Sequence, residues 1–132
     1  MMHTCAQCQK NPDNHSFRLY SETEHHTWFY CSDNYLDRNT DNVVNHIKGV
    51  IDHYHSINPC KKWSILFDCH DFSFRFDTTF GLCMKLIELL KTYRDTFMMM
   101  KVIRSNSFLY YTLELCRPFL SESVLSKIKI ET

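Results

Sequence analysis

The stretch RPFLSESVLSKIKIE, Arg117 to Glu131, contains signals for a helix end, a second helix start and a final strand. Pro118 has no backbone N–H to continue a helix, so it ends the helix before it. Ser121 stands where its hydroxyl can accept a hydrogen bond from the first turn of a short helix. From Lys127 onward Lys and Ile alternate, which predicts a strand with one inward and one solvated face. Such a strand needs a sheet to join.

The runs upstream of this stretch supply strands for that sheet. WSILFDC, residues 63–69, and MMMKVIRS, residues 98–105, are short and apolar, as is typical of strands buried on both faces. Nearer the amino terminus, residues 17–20 and 27–31 are β-prone and flank a polar turn, which predicts a β-hairpin.

Helices are predicted between these strands, because apolar residues recur there at a spacing of three and four. They cover about residues 40–58, 82–93 and 107–116. The resulting order, β-α-β-α-β-α-β, predicts an α/β fold with a mostly parallel sheet and right-handed crossovers. We predict an amino-terminal hairpin over residues 1–35 and an α/β domain over residues 36–132, together forming one compact unit.

Composition excludes several classes of protein. Fifteen acidic and fifteen basic side chains balance, so no broad electrostatic field would attract nucleic acid. The apolar runs are shorter than the roughly 20 residues of a membrane span, which predicts no transmembrane segment. Seven cysteines, an odd number, favour free thiols or a metal over a disulfide framework. These features predict a soluble protein located in the cytoplasm.

The terminal stretch also carries a family resemblance. The segments WSILFDCHDFSF, MMMKVIRSNSF and LELCRPFLSESVLSKIKI follow one another as in CRAL-TRIO lipid-binding domains, with a helix ending in Tyr93 between the first two. In that family a buried strand ends in Asp, and a later helix leads to Lys-Pro-Phe-Leu and Lys-Ile. Residues 63–130 therefore resemble the carboxyl-terminal half of a CRAL-TRIO domain, reduced and without the amino-terminal helical lobe.

The resemblance implies a non-catalytic domain that binds a lipid or another hydrophobic ligand. The strands 63–69 and 98–105 would form the floor of the pocket, and residues 107–120 would form the helix that gates it. The residues facing the pocket or its hinge would be Phe108, Leu109, Leu113, Phe119 and Leu120. Because protein interiors are closely packed, so small a core leaves room for a reduced pocket or none.

Two other functions fit the same pattern. A protein-interaction module could keep the fold, be stabilised by zinc and have a filled pocket. An anti-sigma-antagonist-like (STAS) regulatory domain also alternates strands and helices, and Thr78 or Thr79 could be its phosphorylated residue. The run Asp68-Cys69-His70-Asp71 contains the residue types of a nucleophile site. Consecutive residues leaving a strand point in alternating directions, however, so we predict no catalytic residues and no enzymatic activity.

Cysteines near the amino terminus predict a metal site. Cys5 and Cys8 have the spacing at which two thiolates share one tetrahedral zinc ion. Folding the hairpin would bring His15 opposite Cys31, near the same end. The predicted ligands are Cys5, Cys8, His15 and Cys31, with His25 or His26 as substitutes for His15. Four protein ligands would make the zinc structural.

Overall fold

The computed structural model describes residues 17–32, 40–69, 81–105 and 107–131 of the chain. The order of elements is β1 (Phe17–Glu22), β2 (His26–Ser32), α1 (Thr40–Ile57), β3 (Lys62–Asp68), α2 (Gly81–Thr92), β4 (Phe97–Ile103), α3 (Ser107–Cys116), α4 (Glu122–Ser126) and β5 (Ile128–Ile130). A 3-10 turn, Arg117–Phe119, follows α3. The predicted hairpin and the alternation of strands and helices are confirmed.

The described strands form one five-stranded sheet in the order β1-β2-β3-β4-β5. The β1–β2 pair is antiparallel, and the other three neighbouring pairs are parallel. We predicted a mostly parallel sheet, with the hairpin before it in the chain. This prediction is wrong, because the sheet is mixed. All seven residues of β2 pair with β3, so the hairpin is the antiparallel edge of the same sheet. The predicted boundary at residue 35 lies outside the described residues.

The helices described in the structure pack against one face of this sheet. Trp63, Ile65 and Phe67 alternate along β3 and are buried on that face. The same core cluster contains Ile47 and Ile51 of α1, Leu89 and Leu90 of α2 and Leu109 of α3. Successive right-handed crossovers that move in one direction across a sheet place their helices on the same side. Sheet order and connection handedness therefore explain the one-sided arrangement.

Phe29 is at the centre of the aromatic core. Its ring centroid lies 5.2 Å from that of Phe17, 5.6 Å from that of Tyr54 and 5.8 Å from that of Trp63. The indole N–H of Trp63 donates to the hydroxyl of Thr96 over 3.0 Å, which satisfies its buried polar atom. These rings join β1, β2, β3 and α1 into one packed unit.

A buried histidine ties α1 to the edge strand. His46 is almost fully buried, and its Nε2–H donates to the backbone carbonyl of Phe17, with 2.9 Å between nitrogen and oxygen. A buried carbonyl without a partner would be costly, so this bond stabilises the start of β1. Helical spacing alone did not single out this role for His46.

The carboxyl-terminal stretch folds much as its sequence predicts. The hydroxyl of Ser121 accepts a hydrogen bond from the backbone N–H of Val124 over 3.2 Å, which confirms the predicted cap of α4. In β5, Ile128 and Ile130 are half-buried and Lys129 is exposed, as the alternation predicts. Lys127 ends α4 instead of belonging to the strand.

Candidate functional site

An apolar cavity of about 100 Å³ lies between the sheet and the helices α2, α3 and α4. The carboxyl-terminal strands form its floor, through Phe67 of β3, Met100 and Val102 of β4 and Ile128 of β5. These positions share one face because the parallel pairing places Phe67 beside Val102 and Met100 beside Ile128. The floor is thus built by the strands predicted from the runs at 63–69 and 98–105, joined by β5.

Helix α3 covers the cavity with a single stripe of side chains. Leu109, Thr112, Leu113 and Cys116 recur at the helical spacing of three and four residues and all line the cavity. Tyr110 and Tyr111, between them in sequence, are largely exposed on the outside of the helix. Cavity and solvent therefore lie on opposite sides of α3.

The five predicted ligand-binding residues separate into two groups. Leu109, Leu113 and Leu120 line the cavity. Phe108 and Phe119 are each 50% exposed and are absent from its described lining. The 3-10 turn ends at Phe119, and it is the next residue, Leu120, extended in backbone conformation, that reaches the cavity.

Sequence reasoning missed part of the cavity wall. Leu86 and Leu90 of α2, four residues apart, and Val124 of α4 also line the cavity. The spacing of the leucines indicates an inward helix face, but not which other elements that face meets. The wall is shared among distant segments, so only their packing defines it.

A polar cluster lies at the carboxyl ends of the parallel strands. Asp68, the last residue of β3, is only 3% exposed. Its carboxylate accepts hydrogen bonds from the hydroxyl of Tyr30 over 2.8 Å and from Nε of Arg104 over 3.0 Å, and Nη2 of Arg104 also contacts it. The backbone of Arg104 has a positive φ of 51°, which residues other than glycine rarely adopt. Asp68 thus bridges β2 and the chain that leaves β4.

The surroundings of Tyr30 change the pKa of its hydroxyl. The guanidinium of Arg18 lies 4.6 Å from the ring centre of Tyr30. Burial raises the pKa of the Tyr30 hydroxyl above its ordinary value, and the hydrogen bond to Asp68 raises this pKa further. The hydroxyl therefore stays protonated and keeps donating to the carboxylate at neutral pH.

A histidine and a serine also pair across β2 and β3. Nε2 of His26 lies 2.8 Å from the hydroxyl of Ser64, and Ser64 is fully buried. Burial lowers the pKa of the His26 imidazole, and the charge of Lys61 lowers this pKa further. A neutral imidazole beside a serine could act as a base, but the buried hydroxyl is out of reach of a solvent-borne substrate.

The predicted zinc site falls largely outside the described residues. Cys5, Cys8 and His15 lie there, whereas Cys31 is buried in the core cluster. Of the two substitutes, His25 is exposed and His26 is bonded to Ser64. Within the described ranges, no three His, Cys, Asp or Glu residues are grouped to hold a metal ion. The zinc site stays a prediction.

The sequence of the chain matches a known domain family. The sequence model of the CRAL/TRIO domain matches residues 18–132, which is most of the chain. The chain belongs to the CRAL/TRIO domain family. The match begins within β1, so this CRAL/TRIO domain includes the hairpin as well as residues 63–130, where the resemblance was predicted. No curated protein matches the chain significantly.

Membership of the CRAL/TRIO family bears on the alternatives. The match favours this family over the STAS-like domain, and Thr78 and Thr79 lie outside the described residues.

No helix in the part of the chain that the structure describes is both long and apolar enough to cross a bilayer.

Proposed function

We propose that this CRAL/TRIO domain binds a lipid or another hydrophobic ligand in the cavity beneath α3, without chemistry on it. The observation that carries the proposal is an apolar cavity in a domain whose family usually binds hydrophobic ligands. Three of the residues that the resemblance assigned to ligand binding, Leu109, Leu113 and Leu120, line this cavity. Burial of apolar ligand surface against them would provide the binding free energy.

The arrangement of α3 supports a role as the gate. Its inner side lines the cavity, while Phe108, Tyr110 and Tyr111 are largely exposed on its other sides. The exposure of these aromatic side chains indicates that this outer side of α3 faces solvent. We propose that movement of α3 controls access to the cavity.

Binding without catalysis is supported by the surroundings of Ser64. It is bonded to His26 in a pair of the kind that activates nucleophiles, yet it is 0% exposed. Hydrolysis or group transfer would require the substrate to reach that hydroxyl. We therefore propose a binding role, located in the cytoplasm as the cysteine content predicts.

A protein-interaction module is the second candidate, and the outer surface of α3 favours it. Phe108, Tyr110, Tyr111 and Phe119 are each between 45% and 53% exposed. Aromatic side chains are enriched at protein interfaces, where they provide large contact areas. In this function the surface of the domain, and not its cavity, would bind the partner.

A matched pair of substitutions tests the cavity. Leu113 and Leu115 are half-buried leucines of α3, but of the two only Leu113 is among the described lining residues. We expect Leu113→Trp to weaken binding of a fluorescent fatty acid about tenfold or more, because the indole fills the cavity, and Leu115→Trp to change it less than about twofold. Fluorescence titration measures both, and circular dichroism checks that each variant is folded.

The outcomes separate the two functions. Equal binding by the folded Leu113→Trp and Leu115→Trp variants would show that the probe binds elsewhere. A parent protein that takes up no probe would contradict lipid binding and favour the protein-interaction module.

The amino-terminal zinc site is proposed separately, with Cys5 and Cys8 as the first pair of ligands. We expect protein purified without chelator to contain about one equivalent of zinc, because a structural site of four ligands retains its ion. Cys8→Ser should release the zinc and Cys60→Ser, at an exposed cysteine, should not. Elemental analysis measures both variants. Zinc-free parent protein would exclude the site.

A further inference from the structure

The cavity offers few polar atoms to a ligand. Thr112 contributes the one hydroxyl among the described lining residues, and this hydroxyl donates to the backbone carbonyl of Phe108 over 2.8 Å. Cys116 adds a thiol, which is only a weak hydrogen-bond donor. The remaining described lining side chains are hydrocarbon or thioether groups.

The backbone of the floor is paired as well. The N–H of Met100 donates to the carbonyl of Lys127 over 2.8 Å, and the carbonyl of Val102 accepts from Glu131 over 2.9 Å. In the middle of α3 the backbone groups bond to one another along the helix. An acceptor atom of a ligand would therefore lose its water without gaining a strong donor from these groups, and the one side-chain oxygen among the described lining residues that could accept from a ligand hydroxyl is that of Thr112.

The size of the cavity limits what it can enclose. Its volume is about 100 Å³, below the ~300–1,000 Å³ of sites that enclose drug-sized ligands. An engineered apolar cavity of about 150 Å³ takes benzene or xenon and stays dry. The enclosed part of a ligand is therefore no larger than a small hydrocarbon group.

From size and chemistry together, we propose that the domain binds a straight-chain lipid by the methyl end of its alkyl chain, with the polar head outside the cavity. The inference rests on the proposed function and names its ligand class: an amphiphile whose recognised part is an unsubstituted hydrocarbon terminus. The domain would then discriminate against a polar group at that terminus and tolerate changes at the head.

Three laurate analogues test this orientation in displacement of the fluorescent fatty acid. We expect lauric acid and methyl laurate to bind within about threefold of each other, since only the outer group differs. ω-Hydroxylauric acid should bind about tenfold or more weakly, because the oxygen of its terminal hydroxyl is desolvated without a strong donor among the described lining residues. Equal binding of lauric and ω-hydroxylauric acids would overturn the proposal.

The Thr112→Val variant checks the same point from the protein side. It keeps the branched shape and removes the hydroxyl, so we expect the preference for lauric over ω-hydroxylauric acid to persist. A variant that weakens ω-hydroxylauric acid alone would show that the hydroxyl binds the ligand, which contradicts the proposal.

Xenon separates failure of this inference from failure of the proposed function. As a small apolar probe, it should shift the methyl resonances of cavity residues such as Leu113 and Val102 in nuclear magnetic resonance spectra. Shifts with xenon and laurate binding, but no discrimination against the hydroxyl, would overturn only the orientation. No response to xenon or to any laurate would overturn both proposals.

Discussion

Replacing Phe29 by alanine is expected to lower the free energy of unfolding by about 3–5 kcal/mol, the typical loss when a packed phenylalanine is truncated. The side chain is 1% exposed, and its ring contacts the rings of Phe17, Tyr54 and Trp63. Truncation removes apolar burial and leaves a cavity bounded by β1, β3 and α1, which aromatic rings fixed by their own neighbours cannot fill.

Phe119→Ala is the matched control for this prediction. The resemblance placed this phenylalanine against the pocket, but it is half exposed after the 3-10 turn. We expect a loss of about 1–2 kcal/mol, since half of the side chain is already exposed to water. Denaturant titration at fixed pH measures both variants. Similar losses for Phe29→Ala and Phe119→Ala would contradict the observed difference in burial.

Replacing Arg104 by alanine is expected to lower the free energy of unfolding by about 2–3 kcal/mol. The change removes the bonds that Arg104 donates to the buried carboxylate of Asp68, while the bond from Tyr30 remains. Removing one member of a fully buried ion pair costs about 3–5 kcal/mol. The loss is smaller here because the Arg104 side chain is 56% exposed, so water already screens the pair.

A second substitution separates the ion pair from the backbone. At φ 51° any residue other than glycine is strained by about 1 kcal/mol, and Arg104 and alanine share this cost. Arg104→Gly loses the same ion pair but relieves the strain, so it should be less destabilising than Arg104→Ala by about 1 kcal/mol. Denaturant titration of the two variants measures this difference.

The partner of Arg104 is tested by a double-mutant cycle with Asp68→Asn. In that background we expect Arg104→Ala to cost less than about 1 kcal/mol, because no buried carboxylate is left unpaired. The same loss in both backgrounds would show that Arg104 stabilises the protein through some other contact.

Much of the local structure followed from the sequence. Apolar residues three and four apart predicted the helix at 107–116, and the Ser121 cap and the Lys-Ile alternation predicted the last helix and strand. Each signal is local, because helix and strand periodicities depend on how neighbouring side chains point. The order of these elements also carried the resemblance that the match to the CRAL/TRIO family confirms.

The neighbours of each element depended on tertiary structure. The pattern at 27–31 predicted a strand, but not that it would pair with β3 and make the sheet mixed. Two side-chain partners of Asp68, Tyr30 and Arg104, are 38 and 36 residues away from it in sequence. Periodicity contains no information about contacts between residues far apart in sequence. These contacts form only when the whole chain packs.

In the candidate site, too, some features could be predicted from the sequence and others depended on tertiary packing. Sequence alone indicated that residues 107–116 form an apolar helix that Pro118 ends, which places Leu109 and Leu113 on one helix face. The turn after α3 determined that Leu120 reaches the cavity while Phe119 is half exposed. Cavity volume depends on packing among α2, α3, α4 and the sheet, because the space left between elements belongs to no single segment.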